Sequence, residues 1–320
     1  MAKNGLTKAF SGFVIYKSNT DHPIDIEAIP AMISKGADES NNEFSDLRYV
    51  IANEEQLSSI GFEPVIQLEV TEDGELLREE EYIHSVGQFD VLKIKQSKRK
   101  VPASEVKKIV ERKVKAAIED ANARGQSLKI NKQLKDMFKE EAIKELLPRC
   151  FIDEYETYVF LDKEKDHLYV AVPSHKKAEE ITAYLRRVLG SLPVIPLSTS
   201  NDMVSVLTDF VTGQIKDKLT LGNFVQMEDG DGVVAWKKES LYNSEAKELI
   251  ESSEKLVTKL ALEYDGVMSF TIDTDYVFSG VKFEEYVSAE GSDFSANFIL
   301  IGKEITGCVK ELLRILDTEE

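Results

Sequence analysis

Closely spaced acids are the first residues in this chain with chemistry to offer. Asp229 and Asp231 in "EDGDG", and Asp273 and Asp275 in "DTD", could converge on a divalent cation that activates water and offsets charge on a leaving oxygen, as a metal-dependent nuclease requires. Each pair lies in a segment that reads as a turn, where Asp is favoured because its side chain bonds nearby backbone N–H groups. "EDGDG" also lacks the further ligands and the terminal Glu of a calcium-binding loop. His22, His84, His167 and His175 contain no i, i+4 pair of the kind that holds zinc in a hydrolase. Cys150 and Cys308 lie far apart, without metal-ligand or redox spacing. Neither a glycine loop ending in Lys-Ser/Thr nor a Rossmann glycine fingerprint occurs, so nucleotide-driven chemistry is not suggested. The expectation is a protein with no cofactor, no metal and no enzymatic activity, with a nuclease as the alternative.

The other chemistry available is recognition of phosphate by lysine and arginine. Between Lys93 and Arg149 there are 17 Lys and Arg against 8 Asp and Glu, net +9 in a chain whose total is −18. The remainder holds 23 basic and 50 acidic residues, net −27. Solubility alone does not ask for such a split, because a uniformly acidic surface would already keep the molecule dispersed. One polyanion-binding surface on an otherwise repellent body accounts for it. A solvated lysine-rich helix pair with no ligand accounts for it equally well on charge alone.

These cations need elements to carry them. "FDVLKIK" (Phe89 to Lys95) reads as a strand that runs into the cluster Lys98, Arg99, Lys100 before Pro102. Ser104 is the expected N-cap of the helix that follows. Val106, Ile109, Val110, Val114, Ala117, Ile118 and Ala121 form its buried stripe, leaving Lys107, Lys108, Arg112 and Lys115 outside. A second helix, from about Asn131 to Leu147, is expected to bury Leu134, Met137, Phe138, Ile143 and Leu147 and to show Lys132, Lys135, Lys139 and Lys144. Such basic faces can follow a phosphate backbone, since each neutralised phosphate releases condensed counterions.

The rest of the chain reads as mixed α and β. "FSGFVIY" (Phe10 to Tyr16) and "PVIQLEV" (Pro64 to Val70) are expected strands, and "YETYVFLD" with "HLYVAV" is a hairpin around "KEKD". A helix follows at about Lys176 to Leu189, stopped by Gly190. Then come the strand "GVVAWKK", a long helix from about Ser244 to Glu263, a strand pair (Val267 to Asp273, Phe278 to Phe283) and a last helix (about Lys303 to Leu316). The fold class is α+β, with an acidic α/β region over 1–92, a basic helical region over 93–150 and a C-terminal α+β region over 151–320. With 42% hydrophobic residues, no run of about 18 apolar residues and a start unlike a secretory signal, the expected location is the cytoplasm, off the membrane.

Five segments in one order carry a resemblance: "KELLPRCF" (Lys144 to Phe151), "SHKKAEEITAYLRRVLGSLPVIPLS" (Ser174 to Ser198), "GVVAWKKESL" (Gly232 to Leu241), "EKLVTKLALEY" (Glu254 to Tyr264) and "DFSANFIL" (Asp293 to Leu300). Together they resemble the recombination-associated protein RdgC family over roughly Ile60 to Leu316. The start around Met1 to Thr7 and the acidic insert near Glu69 to Tyr82 depart from the family's pattern.

The resemblance implies a nucleoid-associated protein that binds double-stranded DNA with little sequence preference and restrains recombinase filaments through the DNA they share. It implies a homodimer closed into a ring, acidic outside and positively charged around a central hole. The family's basic positions fall on Lys100, Arg149, Lys176, Lys177, Lys237, Lys238, Lys255 and Lys259. With Lys98, Arg99, Lys107 and Arg112 from the basic segment, these make up the expected DNA-binding set. Phe151, the aromatic after "LLPR", is by resemblance a dimer contact that gates the ring. A nuclease and a pure protein-interaction module remain as the competing classes.

Overall fold

The structure, a computed structural model, describes residues 5–18, 24–38, 47–71, 73, 76–214, 218–230, 232–237, 241, 248, 252, 255–284 and 293–316. In chain order, its first half contains α1 (Gly5–Ala9), β1 (Gly12–Ser18), α2 (Ile29–Asp38), β2 (Ser58–Glu63), β3 (Glu69–Val70), β4 (Leu76–Arg78), β5 (Ile83–Val86), β6 (Phe89–Arg99), α3 (Ala103–Ala123) and α4 (Lys132–Leu146). The second half adds β7 (Ile152–Asp162), β8 (His167–Val170), α5 (His175–Leu189), β9 (Val194–Pro196), α6 (Met203–Asp209), β10 (Leu219–Glu228), β11 (Val233–Lys237), β12 (Leu256–Tyr264), β13 (Met268–Asp273), β14 (Phe278–Phe283) and α7 (Phe294–Leu316).

One large antiparallel sheet organises the α+β fold, in the order β11-β10-β12-β13-β14-β1-β8-β7-β6-β2, with β5 added on β6 and β9 on β1. The middle strands are apolar on both faces because helices cover both. In β1, Val14 and Tyr16 enter a core built with α2 and α5 through Ile29, Ile33, Ala178, Ile181 and Leu185. Phe13 and Ile15 point the other way, into a core with α6 and α7 through Leu207, Phe298, Ile301, Ile305 and Leu312. Each such fully buried Ile, Leu or Phe stabilises the fold by roughly 1.5–3 kcal/mol relative to exposure. The approach of α7 is close: a β-carbon on Gly302 would lie 2.8 Å from Cε2 of Phe89.

Local signals set several boundaries as expected. Asn131 Oδ1 accepts from the Leu134 N–H at 2.8 Å and starts α4. Gly190, with φ of 75°, ends α5 in a conformation that glycine adopts without penalty. Other boundaries moved. The first residue of α3 follows Pro102, whose extended backbone (ψ 118°) sets the turn with no side-chain cap, so Ser104 lies inside the helix. "PVIQLEV" contributes only Glu69 and Val70 to a strand, with Ile66 forming an isolated bridge to Glu81. The last helix begins at Phe294, because Asp293 Oδ1 accepts from the Ala296 N–H at 2.8 Å.

The largest correction concerns the expected helix over Ser244 to Glu263. Leu256–Tyr264 is instead a central strand, paired with β10 on one side and β13 on the other. Val257, Leu260, Leu262 and Tyr264 enter the core. Val257, Leu260, Ala261 and Tyr264 fall at i, i+3, i+4 and i+7, the spacing of a helix face, because an irregularity at Thr258, between the pairs Met227–Val257 and Gln226–Lys259, breaks the strand's alternation. Most of the earlier part of that expected helix lies outside the described residues.

Candidate nucleic-acid interface

The basic segment is an excursion from the sheet. β6 and β7 pair over their whole length, from Phe89 opposite Asp162 to Arg99 opposite Ile152, and the α3–α4 hairpin is inserted between them. Its attachment is a clamp made by Arg99. This side chain is buried, and its guanidinium donates to the carbonyls of Ala52 (3.2 Å), Asn53 (3.1 and 3.3 Å) and Cys150 (3.0 Å). Arg99 therefore holds backbone together, and its donors are not presented to a phosphate.

Other basic residues of the segment are also engaged. Lys93 lies 2.6 Å from Glu63 and 3.1 Å from Glu156, and Lys95 lies 3.2 Å from Glu63 and 3.4 Å from Glu154. Burial works against the charge on Glu63, yet hydrogen bonds from Lys93 and Lys95 prevail and hold its carboxyl below the usual range. Arg112 reaches Glu145 (3.2 Å) and Lys113 reaches Glu141 (2.6 Å), tying α3 to α4. Lys107 is exposed, 3.9 Å from Glu111. Lys100 is exposed and sits 2.5 Å from Asp153; their mutual hydrogen bond raises the ammonium above its ordinary pKa and lowers the carboxyl.

A second group surrounds the start of β7. Lys98 is exposed at the end of β6, opposite Asp153 in the sheet register. Arg149 is exposed in the 3-10 turn Leu147–Arg149, and Phe151 beside it is 87% exposed. Lys176 and Lys177 project from the first turn of α5, and Lys177 Nζ lies 5.6 Å from the centre of the half-exposed Tyr155 ring. That geometry suits a cation–π contact. It joins α5 to β7, and nothing in the sequence singles out Tyr155, which is only one member of an alternating strand. Among the described residues, Lys98, Arg149, Lys176 and Lys177 have no carboxylate within ion-pair distance.

The remaining expected positions lie on the far arm of the sheet. Lys237 ends β11, exposed, 5.9 Å from the Phe224 ring centre. Lys238 lies outside the described residues. Lys259 is 3.8 Å from Asp273, and Lys255 is half-buried and ion-paired with Asp229. Those two acids are one member of each pair, Asp229 with Asp231 and Asp273 with Asp275, whose spacing suggested a metal. Asp229 also accepts from the Gly232 N–H at 3.0 Å, and Asp273 accepts from the N–H groups of Asp275 (3.1 Å) and Val277 (3.0 Å), which is turn chemistry. Asp231 lies outside the described residues, and among those described no three His, Cys, Asp or Glu side chains are grouped to hold a metal ion.

The helical hairpin differs from expectation in its packing. Only Val106, Ile109, Ala142 and Leu147 are buried. Ile118 (37% exposed) and Met137 (45%) were expected inside. Val106, Val110, Val114, Ile118 and Ile143 instead line an open groove of about 850 Å³, whose rim mixes Lys107, Lys115, Lys135 and Lys139 with Glu111, Glu119 and Asp136. Helical spacing tells which residues share a face but not whether anything in the same chain covers it.

A family model described as "Putative exonuclease, RdgC" matches residues 46–319. This chain belongs to the RdgC family. Its match begins earlier than the segment likeness from Ile60 suggested. Recombination-associated protein RdgC of Psychromonas ingrahamii is 32% identical over 241 residues, covering 72% of this chain and 78% of that protein. The RdgC of Proteus mirabilis is 30% identical over 284 residues (83% and 92%), and that of Sodalis glossinidius 31% over 286 residues (83% and 91%). These relatives are named for recombination, and the exonuclease appears only in the family model's description. Among the described residues, no helix is long and apolar enough to cross a membrane.

Proposed function

We propose that this chain is a recombination-associated protein that binds double-stranded DNA without sequence preference, as a homodimer closed into a ring, and so limits assembly of recombinase filaments. Membership of the RdgC family supports the recombination role. The single observation that carries the DNA-binding reading is the exposed cationic group of Lys98, Arg149, Lys176 and Lys177 around the start of β7, on a body whose total charge is −18. Cations without carboxylate partners are those that gain most from a phosphate, because no ion pair must be broken first. Phosphate contacts of this kind position a protein and carry no sequence information.

Two features support self-association. Phe151 is almost fully exposed beside Arg149, and the α3–α4 groove presents apolar side chains without cover from the described residues. A two-fold dimer that used a separate patch at each end would close on itself, with the cationic group inside and the acidic surface outside.

Retention on DNA of different topology tests the reading. The protein is bound to nicked circular or linear duplexes of the same sequence, then challenged with competitor, with and without magnesium. A closed ring stays on the circle and leaves the linear duplex by its ends. Equal loss from both removes the ring, and magnesium-dependent shortening of the DNA replaces the binding protein with a nuclease.

A further inference from the structure

Away from the basic surface, two neighbouring side chains and a third from 211 residues further along form a hydrogen-bonded line. His84, in β5, has Nδ1 2.5 Å from Glu81 Oε2 and Nε2 2.8 Å from Ser295 Oγ. Ser295 is the second residue of α7, and its side of the helix meets β5 through Phe294, whose ring stands edge-on to the imidazole at 5.8 Å and 73°. The imidazole is largely buried, whereas Ser295 and Glu81 are partly exposed. A carboxylate at Nδ1 fixes the tautomer with the proton on that nitrogen, so Nε2 is the acceptor for the serine hydroxyl. This is the order nucleophile, base, orienting carboxylate that activates serine on many unrelated folds.

We propose that Ser295 is a reactive nucleophile, with His84 as its general base and Glu81 as the positioning residue, acting on small activated esters of carboxylic acids. Ser295 Oγ attacks the carbonyl carbon while its proton passes to His84 Nε2; the ester C–O bond breaks and the alcohol leaves with that proton. Water then attacks the acyl group by the same route, releasing the acid and restoring the hydroxyl. Developing negative charge on the carbonyl oxygen falls at the amino end of α7. There the positive end of the helix dipole favours that charge, while Asp293 already takes the N–H groups of Ala296 and Asn297. The run Glu79 to Glu81 repels anions, so the substrate class is uncharged or cationic esters and excludes the phosphodiester of DNA. The site is independent of the DNA-binding proposal.

The test is covalent labelling of the full-length protein with an alkyl fluorophosphonate, in which the serine oxygen bonds to phosphorus and fluoride leaves, followed by peptide mapping. The expected result is one adduct, on Ser295, absent in Ser295→Ala. The labelling rate should fall about 10²-fold in His84→Asn, and its pH profile should shift in Glu81→Gln. Duplex affinity of Ser295→Ala is expected to match the parent. Folded parent protein that takes no adduct, or takes it elsewhere, overturns the proposal; a purely structural bridge would lower thermal stability on substitution without any labelling of the parent. Labelling of the parent decides the matter even if a variant fails to fold.

Discussion

Arg99 and Cys150 are joined across the root of the helical hairpin: the Arg99 Nη1 donates to the Cys150 carbonyl at 3.0 Å, while Nη2 of the same guanidinium holds Ala52 and Asn53. Three strands of chain are thereby tied at the point where α3 leaves the sheet and α4 returns. Because the guanidinium is buried and each hydrogen bond involves a charge, Arg99→Ala is expected to destabilise the fold by about 2–4 kcal/mol. Urea unfolding measures it. A variant as stable as the parent but weakened in DNA binding would return Arg99 to the DNA-contacting set.

Charge reversal at the exposed group separates contact from clamp. The double substitution Lys176→Glu and Lys177→Glu, or Arg149→Glu alone, is expected to lower affinity for unrelated duplexes by the same factor and to reduce the salt slope by about 0.9 for each phosphate that is no longer neutralised. Neither should alter stability in urea by more than about 0.5 kcal/mol, as these positions are exposed. Unchanged binding in both variants would remove this surface from the site.

Phe151 tests self-association. At 87% exposure it contributes little to the isolated fold, so Phe151→Ala is expected to leave stability intact and to weaken the dimer in sedimentation equilibrium. Ile118→Glu, which places a carboxylate in the α3–α4 groove, probes that second patch in the same assay. If Phe151→Ala stays fully dimeric and binds circular and linear DNA as the parent does, it is not the gate.

The Glu63 ion-pair cluster gives the fold a defined pH dependence. The folded-state pKa of Glu63 lies below its ordinary value of 4.5, held there by Lys93 and Lys95 against the opposing effect of burial. Its contribution is therefore present above about pH 4.5 and is lost as pH falls through the lower, folded-state value. Burial opposes the charge on Lys93 and Lys95, yet both are raised above 10.5, chiefly by the hydrogen bonds they donate to Glu63, so their contribution is lost only as pH rises past that range. Urea midpoints between about pH 3 and 7, a window spanning that transition, should show an acid limb that Glu63→Gln flattens. An identical limb in the variant would place the acid sensitivity in another carboxylate.

What the sequence revealed follows from how local each cause is. Asn131 and Gly190 act on their own turns, so the start of α4 and the end of α5 were legible. β12 was not, because the irregularity at Thr258 breaks the alternation in "LVTKLALEY" and leaves Val257, Leu260, Ala261 and Tyr264 at helical spacing. The charge of the segment from Lys93 to Arg149 was plain, yet its distribution was hidden: whether a lysine is exposed or ion-paired depends on partners such as Glu63, Glu154 and Glu156, contributed by neighbouring strands. The same limit applies to Ser295 and His84, 211 residues apart in sequence, which no spacing rule could bring together.

The central claim is tested most directly by equilibrium titration of two unrelated duplexes across a salt series. The account predicts equal affinities, a steep linear fall of log K with log salt at about 0.9 per phosphate neutralised, and DNA recovered intact. No binding near physiological salt, or an affinity that follows sequence and ignores salt, would contradict it.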